Sequence, residues 1–197
     1  MSVTAPRTPP GRKLTVDDFL RIPEEERSHE LIDGQIVKRA LPVWRHQTVV
    51  TRLDRALGPY DRKAAKGRRG GWFIRPEVEI RFSRHVLLRP DLAGWRRDLF
   101  PADADLDTLL NVRPDWVCEV ISPSHRRKDT VEKRTQYADF GVPHYWLVDP
   151  VKKTFVALAL VSGHYIEIAS FGAGEVAKTA PFTGTSFKLG ELFAMGN

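Results

Sequence analysis

The stretch "WVCEVISPSHRRKDTVEKRTQYADFGVPHYWLVD", Trp116 to Asp149, reads as strand, turn, helix and strand. Trp116, Val117, Cys118, Val120 and Ile121 make a short apolar run, the pattern of a buried strand. Ser122-Pro123 turns the chain. Asp129 is placed to cap a helix, with Glu132 three residues on as its partner, and Gly141 stops it. "HYWLVD" is a second buried strand. Within the first strand Glu119 is out of place. A carboxylate buried without a partner costs several kcal/mol. Glu119 therefore needs a cation, strong hydrogen bonds, a proton or an opening to water.

Upstream of this stretch, "VLLRPDLAGW" reads as an apolar strand carrying Asp91. "RPEVEIRF" alternates, with Val78, Ile80 and Phe82 on one side and Glu77, Glu79 and Arg81 on the other, as a half-buried strand does. "RRDLFPADADLDTLLN" lies downstream of the Asp91 strand as a loop. "WRHQTVVTRLDRAL" spaces Val49, Val50, Leu53 and Leu57 as one face of a helix, ended by Gly58-Pro59. "ELIDGQIV" is a hairpin about Asp33-Gly34. "TVDDFLRI" is a short helix with Thr15 as N-cap and Asp18 three residues on. Beyond Asp149, "KTFVALALVSGHYIEIASF" is a hairpin turning near Ser162-Gly163, and "FKLGELFA" is a short strand and helical turn. Residues 1–13, rich in Pro and Arg, read as a flexible arm, and 14–197 as a single domain. A run of strands with helices before it and one inserted gives an α+β or mixed α/β class.

The 197 residues are 42% hydrophobic and 28% charged, an ordinary globular composition. The net charge of +6 favours a polyanionic partner, though only weakly. The one cysteine, Cys118, excludes an intrachain disulfide and makes a zinc ribbon implausible. With no apolar segment in "MSVTAPRTPPGRK" to serve as a signal peptide, the expected location is the cytoplasm, with no membrane partner.

A second carboxylate could share an ion with Glu119. Asp115 is on the same strand, roughly 13 Å away at about 3.3 Å per residue, which is too far. Asp91 is in another strand, and neighbouring strands run about 4.8 Å apart, so facing carboxylates can share a cation. Two carboxylates, a backbone carbonyl and waters describe a Mg²⁺ site. Lys133 and Tyr137, one helical turn apart, share a face that can pack back on the strand end. A lysine there could orient an attacking water or stabilise the developing negative charge. Plainer readings stand beside these. Glu119 also fits a salt bridge or an edge strand, Asp91 a turn, Lys133 a solvated helix and Tyr137 core packing with a tethered hydroxyl. Cys118 points away from Glu119 as a buried inert thiol. The histidines show no metal-ligand spacing, and His46, at a helix start, could approach the site, though it reads first as a surface residue. Two basic runs, Arg62 to Arg69 and Arg126, Arg127 and Lys128, read first as solvated faces. The second lies between Glu119 and Lys133 and could grip a phosphate backbone.

Pro90-Asp91, "EVISPS" from Glu119, then Asp129, Lys133 and Tyr137, and "GVPHYWLVDP" together resemble the Uma family of putative restriction endonucleases, of the PD-(D/E)XK nuclease-like superfamily. "ELIDGQIV", "SGHYIEI" and "LGELF" extend the resemblance over residues 14–193. It implies a restriction-endonuclease-like core, a central mixed sheet flanked by helices, with Asp91 and Glu119 as ligands of Mg²⁺ or Mn²⁺. Position 121, where the general superfamily pattern has lysine, is Ile121, and Lys133 resembles a migrated replacement. The resemblance adds Glu30 as a fourth site residue. DNA is the implied substrate, and a homodimer follows the superfamily's habits. The expected function is metal-dependent DNA hydrolysis. The alternative is a non-catalytic module on the same fold that binds nucleic acid or protein, and a third reading is a hydrolase of a small phosphorylated ligand.

Overall fold

The computed structural model describes residues 12–23, 27–39, 43–66 and 69–195. The expected arm therefore falls almost wholly outside the described residues, as does Arg68 of the first basic run. Two sheets carry the fold. The larger has six strands, β3 (Trp72–Pro76), β6 (Leu92–Arg96), β7 (Trp116–Val120), β8 (His144–Asp149), β9 (Thr154–Val161) and β10 (His164–Phe171), in the order β10-β9-β8-β7-β6-β3. Only β7 and β8 are parallel, so the sheet is mixed. The chain between them makes the crossover that a parallel pair requires. The smaller sheet is β2-β1-β5-β4, from β1 (His29–Ile32), β2 (Gln35–Lys38), β4 (Ile80–Ser83) and β5 (Val86–Leu88). A ribbon of β11 (Val176–Ala177) and β12 (Phe187–Lys188) completes the strands.

Alternation along β7 separates two cores. Trp116, Cys118 and Val120 join Val49, Val50, Leu53 and Leu57 of helix α2 (Trp44–Leu57) and the C-terminal Phe182, Phe187 and Leu192. Val117 and Ile121 face the other way, toward Tyr137, Tyr145, Ile80 and Leu88. Glu119 shares that second face, where helix α3 (Lys133–Asp139) and the small sheet cover the large one. Cys118 is fully buried on the opposite face, and burial raises its thiol well above the ordinary value.

Most expected elements form. Helix α1 (Val16–Phe19) carries a full capping box between Thr15 and Asp18. The turns at Asp33-Gly34 and Ser162-Gly163 take positive φ at both residues, as tight hairpins require. "FKLGELFA" folds as β12 followed by α4 (Leu189–Phe193).

Three readings need correction. "RPEVEIRF" is not one strand, because Glu77 adopts φ 51° and separates β3 from β4, which belong to different sheets. "VLLRPDLAGW" likewise divides at Arg89-Pro90-Asp91, handing the chain from β5 of the small sheet to β6 of the large one. Asp129 caps nothing. Residues Lys128–Glu132 form a π-helical turn with no side-chain cap, and Asp129 is buried within it.

Candidate active site

The pairing of β6 with β7 sets Leu92 opposite Cys118, so the next step brings Asp91 opposite Glu119. Leu92 and Cys118 both enter the α2 core, which leaves Asp91 and Glu119 on the other face. Asp91 Oδ2 accepts the Val120 backbone N–H at 2.7 Å and lies 3.1 Å from His46 Nε2. Glu119 Oε1 accepts from Lys133 Nζ at 2.9 Å and from the Tyr137 hydroxyl at 2.8 Å. Lys133 and Tyr137 thus share a helix face as their spacing requires.

Glu30, in β1 of the small sheet, closes the site from above. Its Oε1 lies 2.9 Å from Lys133 Nζ and accepts the Arg89 backbone N–H at 2.8 Å, and its Oε2 pairs with Lys128. The π turn explains why two lysines five residues apart reach one carboxylate. Its hydrogen bond runs from the Lys133 N–H to the Lys128 carbonyl, so positions i and i+5 stack, whereas an α-helix would splay them.

These groups line one cavity of about 230 Å³ together with Asp129. Four buried carboxylates, Glu30, Asp91, Glu119 and Asp129, face two buried ammonium groups, Lys128 and Lys133. Burial would raise Glu30, but Lys133 and Lys128 outweigh it and hold the carboxyl down at about 2. Glu119 fares differently. Burial, against the pull of Lys133 and with Asp91, Asp129 and Glu30 adding repulsion, raises it to about 8. Burial and the neighbouring carboxylates raise Asp129 to about 6, with Lys133 and Lys128 opposing. Lys133 would be lowered by burial, yet the surrounding carboxylates raise it. His46, too, is raised despite burial by its hydrogen bond to Asp91. Burial is the largest cause for Glu119 and Asp129, and a surplus of buried negative charge adds to it and raises Lys133, while the two lysines hold Glu30 down.

That surplus fits a hard cation. Among the described residues, Asp91 Oδ1 and Glu119 Oε2 accept no protein hydrogen bond, although the other oxygen of each takes two. Among the described residues, no group of three or more His, Cys, Asp or Glu side chains is arranged so that it could hold a metal ion. Mg²⁺ needs none, because it is held through one or two carboxylates with waters and substrate phosphate completing its shell.

Residues 16–190 match the model of a family described as Uma2, putative restriction endonuclease. The chain belongs to the Uma2 family. No curated protein matches it. Its fold is that of a solved structure, a putative nuclease belonging to DUF820 from Anabaena variabilis. That structure is 20% identical, with a TM-score of 0.72 over 91% of this chain and 97% of the other.

In this Uma2 chain, Asp91, Glu119, Lys133 and Glu30 meet at one cavity. The basic run does not stay together. Arg126 bonds Asp149 Oδ2 at 2.5 Å, Arg127 is exposed, and Lys128 is buried on Glu30. His46 is not at the surface as expected, since its ring is mostly buried against Asp91. Asp129, Lys128 and His46 were read in other roles because their places depend on tertiary partners. The signal that could have found Asp129 and Lys128 is their position four and five residues before Lys133.

Among the described residues, no helix is long and apolar enough to cross a membrane.

Proposed function

We propose that the protein is a divalent-metal-dependent nuclease that hydrolyses DNA phosphodiester bonds. The observation that carries this reading is that the β6–β7 register sets Asp91 and Glu119 opposite each other on adjacent strands, each with one oxygen that accepts no hydrogen bond among the described residues, and with Lys133 on Glu119. Family membership supports a nuclease, and the family's description supports DNA as its substrate.

Asp91 and Glu119 would hold Mg²⁺ or Mn²⁺ through these oxygens. When bound, such an ion lowers the pKa of a water and offsets charge on the phosphate. The chain's own residues do the rest. His46 and the Val120 N–H fix the Asp91 carboxylate, and Tyr137 fixes that of Glu119. Lys133 has three donors and spends two on Glu30 and Glu119. The third can meet the attacking water or the phosphoryl oxygens, where negative charge grows. Glu30 positions both lysines. Arg127, exposed just before the π turn and 4.0 Å from Glu132, would meet the flanking phosphates.

The rival is a non-catalytic binding module, and one observation favours it: Lys133 donates to Glu119 Oε1 at 2.9 Å and offsets its charge. The test is cleavage of plasmid and oligonucleotide DNA in Mg²⁺ or Mn²⁺ by Asp91→Asn, Glu119→Gln and Lys133→Met. Losses of about 10²- to 10³-fold are expected for each. Undiminished cleavage by the three variants removes the mechanism, and a wild type that binds DNA without cutting it supports the rival.

A further inference from the structure

Beside the candidate metal site lies a larger cavity of about 700 Å³. Glu77 and Arg89 line both, so the two share a wall. The strand register accounts for this. The Glu77 N–H donates to the Asp91 carbonyl at 3.3 Å, and from there β3 and β6 run side by side to the facing pair Phe73 and Trp95. The second cavity therefore starts beside Asp91 and extends along the edge strand β3.

The two spaces suit different guests. About 230 Å³ holds an ion, waters and a phosphate, whereas about 700 Å³ falls within the range of pockets for organic ligands. The walls of the larger one are apolar and partly aromatic. Phe100 packs its ring 5.1 Å from Phe73 and 6.3 Å from Trp95, and Leu106 and Leu109 close the other side. The polar groups are donors and acceptors in near balance. Arg89 bonds Glu79 at 2.5 Å and Arg75 bonds Asp61 at 2.6 Å. The Arg89 Nε, on the wall common to both cavities, is buried with no hydrogen-bond partner among the described residues. A phosphate would call for a surplus of cations, and a hydrocarbon for none of these charges. Apolar walls with mixed donors and acceptors suit a heterocyclic base, which has apolar faces and a hydrogen-bonding edge.

We propose that this cavity receives one nucleobase of the cleaved strand, next to the phosphate held at Asp91 and Glu119. This rests on the nuclease reading above. A base inside a duplex cannot enter a pocket without leaving its stack, so the substrate is single-stranded DNA or DNA with an unstacked nucleotide.

Leu106 is 70% exposed at the cavity wall, so Leu106→Trp can fill the space without disturbing the core. Leu106→Ala is the control for mere loss of a side chain. The probe is a single-stranded oligodeoxynucleotide carrying 2-aminopurine, compared with the same sequence as a blunt duplex, in Ca²⁺ in place of Mg²⁺ so that binding is read without cleavage. Wild type is expected to bind the single strand about tenfold more tightly than the duplex. Leu106→Trp is expected to lose that preference, and Leu106→Ala to keep most of it. Equal affinity of the wild type for both forms, or a Leu106→Trp protein that binds the single strand as wild type does, overturns the proposal. The nuclease reading is scored apart, in Mg²⁺. A preference that persists while no cleavage occurs keeps the base pocket and removes the nuclease. Cleavage of both forms alike, indifferent to Leu106→Trp, does the reverse.

Discussion

Lys133 has two carboxylates within 2.9 Å and is almost wholly buried. Lys133→Met would leave Glu30 and Glu119 with one ammonium fewer between them. Removing one partner of a buried pair costs about 3–5 kcal/mol, and that loss is expected in urea unfolding at pH 7. Glu119→Gln keeps the shape and replaces a carboxyl that, raised to about 8, is mostly neutral at pH 7, so it should stay within about 1 kcal/mol of wild type. Equal losses from the two substitutions would contradict a negative surplus. The same surplus sets a pH dependence. Glu119 is raised from 4.5 to about 8 and Asp129 from 3.8 to about 6. A raised value in the folded state means a contribution complete below the unfolded value and lost as pH rises through the folded one. Glu30, held at about 2, works in the opposite sense, but only below 4.5. In EDTA the Tm should therefore fall between about pH 4.5 and pH 8. Mg²⁺ should recover more of it at the alkaline end, and a flat or rising Tm would count against this. At this scale Glu119 was legible as a charge in an apolar run, and Asp91 as its neighbour in another strand. His46 was not, because a histidine opening a helix looks alike whether its ring meets solvent or a carboxylate.

Two elements do work that local propensity does not announce. The first is the π turn Lys128–Glu132, which stacks Lys128 under Lys133. Local pattern suggested a capped α-helix from Asp129, since D-x-x-E is a common capping pair. Tertiary charge pairing with Glu30 decides otherwise. Val131 in that turn is 51% exposed, so an alanine inserted after it shifts register without removing a core contact. The insertion sets the lysines six residues apart and should leave only one on Glu30, costing about 3 kcal/mol in denaturant unfolding and most of the cleavage activity. Val131→Ala should change neither. If the insertion variant matched Val131→Ala, the turn would have no part in placing the lysines. The second is the pair of breaks at Glu77 and at Arg89-Pro90-Asp91. Alternation continues across the first and apolar character across the second, so each looked like one strand. The chain leaves one sheet for the other at these breaks, and the exchange brings Glu30 of the small sheet over Glu119 of the large one. Hairpins and the β7–β8 pair were legible because turn residues and long apolar runs act locally.

The molecule as a whole is a mixed sheet with α2 and the C-terminal segment on one face and the small sheet with α3 on the other. The sequence suggested the sheet and its class. Which residues close the α2 face was less evident, because Phe182 stands outside regular structure and Phe187, Leu189, Leu192 and Phe193 lie in two very short elements, β12 and α4, whose pattern does not show what they cover. All five are buried, and Trp146 of β8 packs its ring 5.5 Å from Phe182 and 5.7 Å from Phe187. At about 1.5–3 kcal/mol for each buried side chain, their loss rivals the total stability of a domain, about 5–15 kcal/mol. Removing residues 181–197 should abolish cooperative thermal unfolding in calorimetry, and a sharp transition in the truncated protein would show the face to be closed by other means. Both layers serve to bring Asp91 and Glu119 together with their outer oxygens open. Isothermal titration with Mg²⁺ and Mn²⁺ measures that arrangement most directly. The wild type should bind a divalent ion, with Asp91→Asn and Glu119→Gln each losing the binding while remaining folded. Metal uptake unchanged in both variants, or none in a folded wild type at millimolar ion, would contradict the account.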